Sequence, residues 1–289
     1  MREERRGDGV DDGPGPWPLW LHSMATPDTD AAGCLAVAHE LGLDGIELIV
    51  ADDYPAALPQ AASPAEAAAV SSVADGLGLR VGALCSYARD IDHEAATDRQ
   101  NTADALRRAV DLAAALGAGH VRVLAGHDRP AEERPDAVRR AAETLRGLAP
   151  HAQAAGVSLN VENHMDTLAT SAKATRELVD AATAPAVGVL YDQANLAIMA
   201  AEPATVAVDL QRELIRHVHV KNFVPAGDGR RPVGLAEGTV DWPATLRLLD
   251  GYTGALTFEY ERRWYPDQLP PAQIGLRADR DLLRSLTTG

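Results

Sequence analysis

A chain of 289 residues, 46% of them hydrophobic, can supply one large core and matches the size of a (β/α)8 barrel, which takes about 250 residues. A formal net charge of −15 repels phosphate backbones and anionic lipid surfaces, which argues against nucleic acid and membrane as partners. Cys34 and Cys85 lack metal-type spacing, no run approaches the roughly 18 apolar residues of a membrane span, and no apolar leader opens the chain, so a reduced, cytoplasmic setting is expected.

Residues 1–16, MREERRGDGVDDGPGP, are charged and glycine-rich and predict a flexible N-terminal arm, followed by one catalytic domain over 17–289. From Trp17 onward, short apolar runs alternate with longer alanine-rich segments. Strands are predicted at 18–23 (PLWLHS), 45–50 (GIELIV), 79–85 (LRVGALC), 120–126 (HVRVLAG), 157–164 (VSLNVENH), 187–192 (VGVLYD), 216–223 (RHVHVKNF) and 255–260 (ALTFEY). Helices are predicted between them at 30–41, 63–77, 93–116, 134–155, 171–182, 203–214 and 242–250, with a last one at 274–286. Ser63 and Pro64 open the second, and Gly42, Gly78 and Gly156 stop the first, second and fourth. Eight such alternations predict an α/β fold with a parallel eight-stranded sheet closed into a single TIM barrel. No glycine-rich dinucleotide fingerprint follows the first strand, which weighs against an open sheet.

In a closed barrel the reactive groups gather at the C-terminal ends of the strands. Those ends carry Glu47 on the second strand, Glu162 and His164 on the fifth, Asp192 on the sixth, His219 and Lys221 on the seventh, and Glu259 and Glu261 on the eighth. Outer faces pack under helices and are apolar, so ionisable residues at period two face inward. Strands five to eight thus bring carboxylate, carboxylate, imidazole and carboxylate toward one point. Such a cluster repels itself unless a cation stands between its members. One nitrogen and several oxygens suit an open site for one divalent ion, Mn2+ first, with Mg2+, Co2+ or Zn2+ as alternatives. Arg122 on the fourth strand can balance this acidic pocket, and His217 lies deeper as support. Asp192 has capping of the following loop as its alternative role.

The strings VENH (161–164), YDQAN (191–195), RHVHVKN (216–222) and FEYE (258–261), together with GLDGIEL (42–48) and EGTVDW (237–242), resemble the xylose-isomerase-like TIM-barrel superfamily of sugar isomerases and epimerases. That resemblance implies metal ligation by Glu162, Asp192, His219 and Glu259, with Glu261 competing for the eighth-strand position. It also implies that Glu162 and Glu259 exchange protons with a substrate carbon through a metal-stabilised enediolate. Lys221 and His164 are expected to assist catalysis, and Glu47, Asn195, Glu261 and Arg230 to contact substrate, Arg230 from a glycine-rich lid loop over 227–237. Trp264 and Tyr265 are open to stacking on a ring or to a subunit interface.

Asn195 stands where ketose 3-epimerases commonly have a histidine, and Lys221 resembles the strand end of inosose-processing members. The expected function is therefore a metal-dependent sugar isomerase or epimerase. The alternative is a lyase or dehydratase acting on a keto-sugar or keto-cyclitol, of inosose, dehydroshikimate or C-glycoside-cleaving type. The expected partner is a small carbohydrate or cyclitol, with a homo-oligomer or a partner subunit possible by analogy.

Overall fold

In a computed structural model, which describes residues 17–227 and 229–286, eight parallel strands close on themselves. They are β1 (Leu19–His22), β2 (Gly45–Val50), β3 (Arg80–Ser86), β4 (His120–Val123), β5 (Ser158–Glu162), β6 (Val187–Asp192), β7 (Ile215–Val220) and β8 (Leu256–Phe258). Each pairs with its neighbour in sequence, and β1 also pairs with β8, which leaves the barrel without an edge. The chain is a single (β/α)8 barrel, as the alternation of elements predicts. Residues 1–16, read from sequence as an arm, lie outside the described residues.

Local chemistry places the helices. Ser63 and Glu66 form a reciprocal capping box with Pro64 in the first turn of Pro64–Gly76, and Asp30, Ser171 and Asp241 cap three further helices. Gly42, Gly78 and Gly156 take φ of 65°, 69° and 70°, a left-handed conformation that a Cβ opposes. Among the described residues no helix is long and apolar enough to cross a membrane.

Strand alternation separates two interiors. Leu19, Leu21, Ile46 and Leu48 point outward into the main core beneath the helices, whereas Trp20 packs with Ala83 and Ala255 inside the barrel. A Cβ at Gly82 would lie 2.0 Å from the Trp20 indole, so this glycine is what lets the ring fill the barrel floor. Above it, His217 lies 5.5 Å from Trp20 and stacks on His120 at 5.4 Å. That layer supports the strand ends.

Several elements differ from the sequence reading, three of them from β7 onward. The seventh strand ends at Val220, and the stretch read as a loop forms an antiparallel hairpin of Asn222–Ala226 with Gly229–Val233. Asn222 explains the change: its Nδ2 donates to the carbonyls of Leu235 and Val240 at 2.8 Å, and its Oδ1 accepts from Phe223 N and Val240 N at 3.0 Å. This fixes both ends of the hairpin. The eighth strand stops at Phe258, so Glu259 and Glu261 sit on the turn beyond it, and the last helix divides into Ala272–Gly275 and Arg277–Ser285.

Asp279 on that last helix accepts Leu235 N at 2.7 Å and is 5% exposed. Burial pushes its carboxyl up from 3.8 to about 6, against the pull of the Leu235 N–H. The folded state therefore holds the proton more tightly, and the stability linked to it is complete below 3.8 and lost as pH rises through 6. Asp279→Asn keeps an acceptor without the charge. Urea unfolding should show a gain of about 1–3 kcal/mol at pH 8 and none at pH 4; equal effects at both pH values would show that charge is not the cause.

Candidate active site and metal centre

The inward side chains at the strand ends form one buried polar layer. A ligand atom from each of Glu162, Asp192, His219 and Glu259 lies within 4.8 Å of the others, and none of the four residues is more than 6% exposed. They come from β5, β6, β7 and the turn after β8, so parallel register alone brings them level: Asp192 pairs with His219, and Thr257, two residues before Glu259, also pairs with His219.

His219 has one ring nitrogen committed and one free. Its Nε2 lies 2.9 Å from Glu47 Oε2, while its Nδ1 has no hydrogen-bond partner and faces Glu162 Oε1 and Glu259 Oε2, each at 3.6 Å. If Nε2 carries the proton toward Glu47, Nδ1 presents a lone pair to two carboxylates. A proton or a metal ion between them relieves that conflict, and metal-bound histidines commonly donate their other N–H to a carboxylate in this way. Burial lowers the His219 pKa, but Glu47 and then Glu259 outweigh it and raise it well above the usual value. The pocket thus demands positive charge at Nδ1.

Two cations already serve the cluster. Arg122 Nε donates to Glu162 Oε2 at 2.5 Å, and Lys221 Nζ donates to Glu259 Oε2 and lies 3.1 Å from Asp192 Oδ2 and 3.6 Å from Glu261 Oε1. Asp192 Oδ2 is close enough to Lys221 for an ion pair yet off the angle of a hydrogen bond, and its Oδ1 caps the following turn by accepting Asn195 N at 2.8 Å. Five carboxylates, Glu47, Glu162, Asp192, Glu259 and Glu261, surround these two cations, so acidic groups outnumber Arg122 and Lys221 in the cluster. Burial acts to raise the Glu162 pKa, but Arg122 and then His164 hold it down to about 2. For Asp192 burial wins over Lys221 and lifts it to about 7. The donor set, the bare Nδ1 and the excess charge fit a divalent cation held by Glu162, Asp192, His219 and Glu259.

A family described as xylose isomerase-like TIM barrel matches residues 35–286. The chain belongs to this family. Among curated proteins none matches. Solved structures of similar shape include a xylose isomerase-like TIM barrel protein from Mycobacterium smegmatis in complex with magnesium, at 20% identity and a TM-score of 0.73, covering 94% of this chain and 97% of that one. A D-allulose 3-epimerase from Methylomonas sp. in complex with D-allulose is 19% identical with a TM-score of 0.74, covering 95% and 98%. The probable 3-DHS dehydratase AsbF from Bacillus anthracis, involved in petrobactin synthesis, is 18% identical with a TM-score of 0.71, covering 92% and 98%. Identities this low establish the shared fold of the xylose isomerase-like barrels.

The remaining sequence candidates separate by position. Glu47, expected at the substrate, is fully buried beneath His219, with Oε2 accepting from both His217 at 2.8 Å and His219. Its place is under the His219 imidazole. Asn195 is buried and donates from Nδ2 to Asn163 O at 3.0 Å and to Glu162 Oε1 at 3.4 Å, so it orients a carboxylate. Half-buried His164 has its Nδ1 2.7 Å from Met165 O, and its pKa is lowered by burial against the pull of Glu162. Burial raises the Glu261 carboxyl, Lys221 and more weakly Arg230 pull it back, and the Arg230 Nε is shielded without a partner.

Residues that sequence reasoning passed over are His22, Cys85, Tyr87 and Arg263. His22 ends β1, is fully buried, and meets the His219 ring edge-on at 5.6 Å. Burial lowers its pKa to about 4 against the pull of Glu47. The signal was available, because Trp20 and His22 alternate inward in PLWLHS just as His217 and His219 do in β7. His22, Glu47 and Cys85 also converge, as do Glu47, His217 and His219. Neither group suits a cation as well: Arg122 Nη1 sits 3.1 Å from Cys85 Sγ, and Glu47 Oε2 already accepts from two imidazoles.

Proposed function

We propose that this chain is a divalent-metal-dependent isomerase or epimerase of a small carbohydrate, with Glu162 and Glu259 as the proton-transfer groups. The observation that carries the reading is the unpaired His219 Nδ1 set between those two glutamates, with Asp192 completing the ring of ligand atoms. Bound there, a divalent ion supplies Lewis acidity toward adjacent carbonyl and hydroxyl oxygens.

The protein's own residues do the rest. Arg122 keeps Glu162 ionised and therefore able to accept a proton from the carbon beside a carbonyl. Glu259 approaches from β8, and return of a proton to the opposite face inverts that carbon. Return to the neighbouring carbon interconverts aldose and ketose. Glu47 and Asn195 hold His219 and Glu162 in place, so the reacting groups need no rearrangement during transfer. Lys221 supplies fixed positive charge where substrate oxygens gain electron density.

Lys221 also favours a second reading. Its ammonium is a proton donor inside the cluster, and Asn195, which has no acid–base function, stands three residues after Asp192. An acid at that place can protonate a departing β-substituent, which makes the enzyme a lyase on a keto-sugar or keto-cyclitol. Incubation with Mn2+ and a panel of ketoses and inososes in deuterated water separates the two. Deuterium at the carbon next to the carbonyl without loss of a group supports the isomerase or epimerase, an unsaturated product supports the lyase, and neither outcome across the panel rejects both.

A further inference from the structure

Beside the ligand cluster, on the same end of the barrel, lies a second chamber of about 540 Å³ between the turns after β2, β3 and β8. Tyr87, Trp264 and Arg263 line it, with Asp52, Asp53 and Gln60 at the rim. Trp264 is 54% exposed there, one of four large hydrophobic side chains left open among the described residues.

Arg263 is held in an unusual way. Its Cζ lies 4.3 Å from the Tyr54 ring centroid, 4.7 Å from Trp264 and 5.5 Å from Tyr87. No carboxylate comes within 4.0 Å of its guanidinium among the described residues, and its Nη1 is shielded from solvent without a hydrogen-bond partner. The guanidinium is thus fixed among three rings, two of which, Tyr87 and Trp264, wall the chamber.

One residue, Arg122, connects the chamber wall to the reacting groups. Arg122, which holds Glu162, packs 5.0 Å from the Tyr87 centroid and donates to Ser86 O at 3.4 Å, and both Ser86 and Tyr87 are chamber walls. A substrate reaching Glu162 from this side would leave its distal part against Tyr87 and Trp264.

We propose that this chamber is a subsite for a second, uncharged ring, so that the substrate is a glycoside or disaccharide rather than a free or phosphorylated monosaccharide; this rests on the carbohydrate reading of the neighbouring cluster. The aromatic plates match the apolar face of a sugar ring, and the rim carboxylates and amide accept and donate to its hydroxyls. Charge decides between this and a phosphate subsite. Asp52 and Asp53 together outweigh the single positive charge of Arg263 and oppose a dianion, while a neutral ring uses them as acceptors.

Titration calorimetry on the full chain loaded with Mn2+ tests the assignment, using D-glucose, D-fructose and D-glucose 6-phosphate against cellobiose, maltose and 4-nitrophenyl β-D-glucopyranoside. At least one two-ring probe is expected to bind about tenfold more tightly than either free sugar. Trp264→Ala, at an exposed position, should erase that preference while leaving the melting-temperature rise produced by Mn2+ unchanged. Equal binding of one-ring and two-ring probes, absence of two-ring binding, tightest binding by the phosphate, or an unaltered preference in Trp264→Ala would each overturn the subsite. The Mn2+ response reports on the ligand cluster alone, so failure there with the two-ring preference intact would reject the metal reading and leave the subsite standing.

Discussion

Glu259→Gln should lower turnover by about 10³-fold with little change in stability, because removing one positioned proton-transfer group typically costs 10²–10⁴. The variant keeps the side-chain volume, and Lys221 retains Asp192 and Glu261 as partners. Glu162→Gln should cost the same turnover and also destabilise. Arg122 is 5% exposed and Glu162 is the one carboxylate paired with it among the described residues, so the change strands a buried guanidinium, a loss of about 3 kcal/mol or more. Steady-state kinetics and urea unfolding of both variants check the contrast. Full activity in either variant removes that glutamate from the mechanism, and equal stability of the two removes the argument about Arg122.

Metal removal is the second large effect. With carboxylates outnumbering cations around His219, the chelated protein should lose activity and unfold at a lower temperature. Adding Mn2+ at about one hundred times its dissociation constant should restore activity and contribute about 2.7 kcal/mol, or several degrees in melting temperature. Differential scanning of chelated and reloaded protein measures this directly. A melting temperature indifferent to every divalent ion would mean that Lys221 and a protonated His219 balance the pocket unaided.

The barrel was legible because period and punctuation agreed: Ser63-Pro64 and Gly78 bracket a helix by local rules, and eight repeats of one unit leave few topologies. The inward alternation of Glu162, His219 and Glu259 was legible for the same reason, since a charged side chain cannot face the helix layer. What escaped depended on contacts distant in sequence. Glu47 reads as a strand-end acid and becomes the base of His219 only when β7 lies across the barrel, 172 residues away. The hairpin after β7 looked like a loop because Asn222, which locks it through Leu235 and Val240, has no local signature. Arg263 was overlooked for a related reason: its ring partners Tyr54 and Tyr87 follow β2 and β3, close in space through β1 but far away in sequence.

Lys221 adds a consequence for any assay. Its ammonium contacts oxygens of Asp192 and Glu259, two of the proposed ligands, so metal and lysine draw on the same negative charge. The ratio of divalent metal to chain, measured by elemental analysis after loading with Mn2+ and removing free ion, therefore tests the central assignment most directly. One ion per chain is expected in the parent protein, with a large loss in both His219→Ala and Asp192→Ala. A parent protein that retains no ion, or variants that retain it in full, would contradict the assignment.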